Sequence, residues 1–189
     1  MANIPLVNLT DRKILLGVSG GVAAFKAVAL ASLLRQSQAQ VEVVMTKAAT
    51  KLIGPASFQA FTGRQVKTKI FVAQESITAN HIALAQWAEI YVIAPATANT
   101  LAKLAWGFAG NLLTCTALAV TCPKLIAPAM NTHMWNNQAV QENVSRLRNF
   151  GYHFVGPTQG HLSCGVSGPG RMVEAEDIYS AIVDILNRR

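Results

Sequence analysis

Short apolar runs separated by longer mixed segments set the pattern of this chain. Residues 14–18 are an unbroken apolar run that stops at Ser19-Gly20-Gly21. Residues 22–34 then carry apolar side chains at helical spacing up to a polar stretch at 36–40. The same alternation recurs at residues 41–45, 90–94, 124–127 and 152–155, each a brief β-rich run followed by a longer segment that can be helical. Repeated βα units predict an α/β, Rossmann-like fold: a parallel sheet of about six strands with helices on both faces. Pro55 and Gly63 are expected to break the second helical region, and residues 62–80 to run irregularly. Residues 174–189 read as a closing amphipathic helix. No repeat, low-complexity tract or linker divides the 189 residues, so a single domain spanning 1–189, with no second domain, is expected.

Open parallel sheets bind ligands beyond the carboxyl ends of their strands. The segments there are Ser19-Gly20-Gly21, Thr46-Lys47-Ala48, the run from Pro95 to Thr100, and Pro128-Ala129-Met130-Asn131, all rich in small, hydroxyl or amide residues. A glycine turn opening a helix offers backbone N–H groups and the positive end of the helix dipole to a phosphate, with Ser19 as an added hydroxyl donor. A simple tight turn is the competing interpretation. The full G-x-G-x-x-G fingerprint is absent, and the second strand ends in Thr46 and not in an acidic ribose ligand, which favours a mononucleotide over a dinucleotide. Thr97, Asn99 and Thr100 suit a helix cap, an anion, or both. Asn131, amid Met130, Met134 and Trp135, is either a cap within core packing or a polar contact to a ligand.

Composition narrows the partners. Hydrophobic residues make up 51% of the chain, yet charged, Gly or Pro residues interrupt every apolar run before the roughly 18–20 residues a membrane span needs. The first ten residues lack a basic flank before an apolar core, so no secretory signal and a cytoplasmic address are expected. Sixteen Lys and Arg against nine Asp and Glu give +7, which suits a phosphorylated small molecule; the basic residues are too scattered to predict nucleic-acid binding. Cys115, Cys122 and Cys164 show no paired-ligand spacing, so neither a metal site nor a disulfide framework is predicted. Cys115 and Cys122 read as small buried hydrophobes, and His133 and His153 as structural.

Several segments together carry a resemblance. The Ser-Gly-Gly turn followed by Ala23-Ala24-Phe25-Lys26, His81-Ile82 before Trp87-Ala88, the run from Ala94 to Thr100, Pro128-Ala129-Met130-Asn131 with Met134-Trp135, and Leu162-Ser163-Cys164-Gly165 with Gly170-Arg171-Met172 are similar, in order, to the homo-oligomeric flavin-containing cysteine decarboxylases. The resemblance implies FMN held by Ser19, Gly20, Gly21, Val22, by Thr46, Lys47, Ala48, by Thr97, Ala98, Asn99, Thr100, and by Ala129. It implies His81 as the active-site histidine, Asn131 as the carboxylate-binding amide and Cys164 as a cysteine on a closing flap. Met134, His161, Ser163 and Met172 would line the substrate. The sequence departs from the family pattern at Gly110 and Ala83, where Asp and a polar residue are common.

The implied reaction is decarboxylation of 4′-phosphopantothenoylcysteine to 4′-phosphopantetheine in coenzyme A biosynthesis. An amide-linked cysteine has no electron sink for the carbanion that CO2 loss would leave. Oxidation of its CH2–SH to a thioaldehyde provides one. The enethiolate that follows must regain hydride, and a proton from Cys164. The family also implies a homo-oligomer, a trimer or a dodecamer built from trimers, with the active site between subunits. Oxidative decarboxylation of a peptide's C-terminal cysteine, and a non-catalytic FMN-binding regulator, are the alternatives; a related flavin prenyltransferase would have no use for the Pro-Ala-Met-Asn segment.

Overall fold

Five strands, β1 (Lys13–Val18), β2 (Gln40–Met45), β3 (Ile90–Ala96), β4 (Lys124–Pro128) and β5 (His153–Phe154), form one parallel sheet in the order β2-β1-β3-β4-β5. They are seen in a computed structural model that describes residues 6–70, 80–161, 165 and 167–188. Beyond β2 the ladder adds one parallel rung, in which Lys67 N–H donates to the Val43 carbonyl at 2.9 Å and Met45 N–H to the Lys67 carbonyl at 3.0 Å. The about six strands expected are thus five strands and a single rung among the described residues. A separate antiparallel pair, β6 (Thr158–His161) and β7 (Ser167–Arg171), stands outside the sheet.

The runs are largely apolar because both faces of the sheet are covered, with Glu42 on β2, paired to Arg64 and Lys67, as an exception. Ile14, Leu16, Val18, Val92 and Ala94 pack with α1 (Ala24–Gln36), α2 (Pro55–Thr62) and α8 (Ala175–Asn187) on one side. Leu15, Tyr91, Ile93 and Ile126 point the other way, into a cluster with α3 (Asn80–Trp87), α4 (Ala98–Ala105), α5 (Leu112–Ala119) and α7 (Gln138–Asn149). The two-residue period of a strand divides one apolar run between two cores. On α1, Ala24, Ala27, Leu30, Ala31 and Leu34 supply the inward stripe. A short helix, α6 (Thr132–Asn136), follows β4.

Pro55 and Gly63 bracket a helix where a break was expected. Pro55 is the first residue of α2, where its missing N–H costs nothing, and Gly63 ends it at φ +66°. No helix among the described residues is long and apolar enough to cross a membrane.

Candidate functional site

The chain leaves β1 over one face of the sheet, through α1, and leaves β3 over the other, through α4 and α5. The turns diverge between these neighbouring strands, at the position where open α/β sheets bind ligands. A cavity of about 550 Å³ opens there, lined by Gly21, Val22, Ala23, Phe25 and Lys26 after β1, Thr97 and Ala98 after β3, and Ala129, Met130 and Asn131 after β4. Met134 on α6, His161 on β6, and Gly170, Arg171 and Met172 at the end of β7 complete its wall.

Two helix starts supply donors to this space. The N-cap of α1 is Ala23, which has no capping side chain, and Ala24 N–H turns back to the Gly21 carbonyl at 2.9 Å. The N–H groups of Val22 and Ala23 have no partner among the described residues. At α4 the Thr97 hydroxyl accepts from Thr100 N–H at 3.3 Å and the Thr97 carbonyl from Leu101 N–H at 2.9 Å. Ala98 and Asn99, ahead of the first intrahelical bonds, keep their donors. The two readings of Thr97, cap and anion site, are therefore compatible, because one cap satisfies one donor.

Ser19 is corrected. Its hydroxyl donates to the Pro95 carbonyl at 2.7 Å and accepts from Thr97 N–H at 3.1 Å, and the residue is buried. A serine has one proton, so this hydroxyl ties the β1 turn to the β3 turn and has none left for a phosphate. Gly20 is close-packed: a Cβ there would lie 2.4 Å from Ala48 Cβ. Thr46, Lys47 and Ala48 back the glycine turn in this way without lining the cavity, and Thr46 Oγ1 accepts from Ala49 N–H at 3.2 Å. Asn99 and Thr100 side chains also lie off the wall, Thr100 being buried.

Asn131 is the N-cap of α6, its Oδ1 accepting from His133 N–H at 2.8 Å, and it lines the cavity. The cap orients the amide and makes Nδ2 the end that can donate to an acceptor. Met130 N–H donates to the Gly170 carbonyl at 2.9 Å, and a Cβ on Gly170 would lie 2.4 Å from the Met130 carbonyl oxygen. The base of β7 therefore sits directly on the Asn131 segment, with Gly170 at φ +129° permitting the approach.

The fold brings together Gly21, Val22, Thr97, Ala98, Ala129, Asn131, Met134, His161 and Met172 of the residues singled out in the sequence. His81 is not brought to this wall. It lies in the first turn of α3, which packs on α5, and its Nδ1 is buried without a hydrogen-bond partner among the described residues. Ser163 and Cys164 lie outside the described residues, between β6 and β7. Cys122 is buried as expected and Cys115 half-buried.

Phe25, Lys26 and Arg171 were missed as lining residues. Lys26 is buried, its Nζ donating to the Met172 carbonyl at 2.9 Å and to Glu174 Oε1 at 2.8 Å; Arg171 Nη2 meets the same oxygen at 2.7 Å. The Lys26 hydrogen bond holds the Glu174 carboxyl below its ordinary pKa, outweighing the opposing burial, with Arg171 helping. The available signal was spacing: an interior α1 lysine just after the glycine turn, and the Arg-x-x-Glu of residues 171–174.

The chain belongs to the Flavoprotein family, which it matches over residues 3–187. It is 47% identical over 170 residues to the coenzyme A biosynthesis bifunctional protein CoaBC of Bacillus subtilis, covering 90% of this chain and 42% of that protein. The chain thus spans less than half the length of the first curated relatives it matches. A probable phosphopantothenoylcysteine decarboxylase of Streptococcus mutans is 41% identical over 177 residues, covering 93% of this chain and 99% of that one. Among solved structures, a PPC decarboxylase mutant complexed with pantothenoylaminoethenethiol superposes with a TM-score of 0.85 at 34% identity, over 94% of this chain and 99% of that chain. The FMN-dependent cysteine decarboxylase SpaF gives 0.84 at 38% identity, over 95% and 98%.

Proposed function

We propose that this chain is an FMN-dependent decarboxylase of 4′-phosphopantothenoylcysteine, yielding 4′-phosphopantetheine for coenzyme A in the cytoplasm. The observation that carries it is the convergence of two helix starts with unpaired N–H donors and the oriented Asn131 amide on one cavity. The residues present suit FMN. The Val22 and Ala23 donors and those of Ala98 and Asn99 match a phosphate monoester, and Gly21, Ala98 and Ala129 leave a wall low enough for a flat ring. When bound, the flavin supplies the oxidation of the substrate's CH2–SH and the later return of hydride.

The remaining roles fall to the chain. Asn131 holds the departing carboxylate through Nδ2, a neutral donor whose grip does not oppose CO2 loss as a fixed cation would. Met134 and Met172 pack the substrate's apolar atoms, and His161 stands at the β6 side. Cys164, between β6 and β7 in the sequence, delivers the last proton. His81 lies away from its own chain's cavity, and we place it at the cavity of a neighbouring copy in a trimer, where its ring nitrogen orients the substrate thiol. The described fold is one FMN-binding unit in this reading.

The test is CO2 release and product mass from the yellow protein supplied with phosphopantothenoylcysteine. Wild type yields the reduced pantetheine phosphate; Cys164→Ser yields the oxidised enethiol. No CO2 from wild type overturns the reading. Identical products from both forms remove Cys164 from the mechanism and favour oxidative decarboxylation of a peptidyl cysteine.

A further inference from the structure

Lys26 and Arg171 are the only permanently charged side chains among the described residues lining the cavity, whose other walls are largely Val22, Phe25, Met130, Met134 and Met172. They come from elements far apart in sequence, the first turn of α1 and the end of β7, and converge on one oxygen, Glu174 Oε1. One carboxylate against two cations leaves a net positive charge on an otherwise apolar wall, an arrangement that concentrates anions.

Neither cation is exhausted. An ammonium has three donors, and Lys26 uses two, on Glu174 and on the Met172 carbonyl. A guanidinium has five, and the bond from Nη2 to Glu174 uses one. The guanidinium is also seated: a Cβ on Gly160 of β6 would lie 3.0 Å from Arg171 Cδ and 3.2 Å from Nη1. A methyl at residue 160 would make the arginine side chain give way by a few tenths of an ångström. Lys26 is held in place by burial, its side chain 9% exposed, whereas Arg171 at 42% can reach a ligand entering from solvent.

We infer that Arg171, seated on Gly160 and backed by Lys26 through Glu174, recognises the phosphate monoester of the substrate and so determines specificity for a phosphorylated cysteine conjugate over an unphosphorylated or peptidyl one. This rests on the proposed decarboxylase activity and assigns the far end of its substrate. The flavin's phosphate has its own donors, at Val22, Ala23, Ala98 and Asn99, and Asn131 serves the carboxylate. The Lys26–Arg171 pair is the remaining anion site on the described wall.

The experiment titrates the FMN-loaded full chain with pantothenate and with its 4′-phosphate, by calorimetry, and follows FMN absorbance in parallel. Wild type binds the phosphate ester about tenfold or more tightly than the alcohol, as charge-assisted hydrogen bonds imply. Arg171→Gln removes most of that preference, Arg171→Lys keeps part of it, and Gly160→Ala lowers it with every charge still present. An unchanged preference in Arg171→Gln overturns the inference. So does loss of FMN from that variant, which would mean the pair serves the cofactor's phosphate. CO2 release separates the two readings. Turnover without phosphate preference leaves the decarboxylase standing and sinks the phosphate site; preference without turnover does the reverse.

Discussion

At the residue scale, Asn131 does two jobs that substitution can separate. Its Oδ1 caps α6, and loss of such a cap costs about 1 kcal/mol; its Nδ2 is assigned to the carboxylate. Asn131→Asp keeps a capping oxygen but sets a negative charge against the substrate's. We therefore expect folding stability within about 1 kcal/mol of wild type, retained flavin colour, and CO2 release down by about a hundredfold or more. Denaturant unfolding and a decarboxylation assay check it. Gly20 has no comparable freedom. An added methyl meets Ala48 Cβ at 2.4 Å and the Ala48 backbone carbon at 2.9 Å, so Gly20→Ala should destabilise by about 1–3 kcal/mol in urea and loosen FMN with it. Asn131 was legible as a residue with either role because both readings need the same strand end. The service of Ser19 was not legible, since its partners, Pro95 and Thr97, lie on another strand's turn.

At the element scale, the parallel strands were legible to within two residues because strands buried on both faces are mostly apolar, Glu42 in β2 being tolerated through its ion pairs. The β6–β7 pair was invisible for the opposite reason. Thr158–His161 and Ser167–Arg171 carry glycines and polar residues with no periodic apolar face, so only tertiary contact with α6 and the Met130 backbone gives them shape. The start of α8 is held by Glu174, which also ties α1 to β7. Its folded-state pKa is depressed, so its contribution to stability is present above the ordinary carboxylate range and is lost as pH falls through the lowered value. Glu174→Gln should unfold with a flatter acid limb below about pH 4.5, measured by circular dichroism across pH. Half-exposed as that carboxylate is, the change will be small.

At the scale of the whole molecule, a net charge of +7 should draw the proposed substrate, which carries a phosphate and a carboxylate, from a distance. Raising salt should therefore lower kcat/KM through KM, with little change in kcat. Alkaline stability follows from the second core cluster, where burial pushes Tyr152 up to about 12 and raises Tyr91 well above its ordinary value. Tyr152 is neutral in the fold at neutral pH, so its contribution is intact below pH 10 and erodes between pH 10 and about 12; Tyr152→Phe should show a shallower decline there. The position of His81 belongs to this scale as well. The sequence offers it as an active-site candidate, but one chain does not bring it to the cavity, and no pattern within a single sequence states which copy a side chain serves. The outer edge of β2 limits how copies can meet. The Lys67 rung covers it, and Arg64 and Lys67 both grip Glu42 across it, at 2.6 and 3.0 Å. A charged, occupied border resists growth of the sheet into a neighbour's. Strand addition at this edge is thus disfavoured in any assembly of copies, and the same border guards a crowded cell against β-fibre formation from that side.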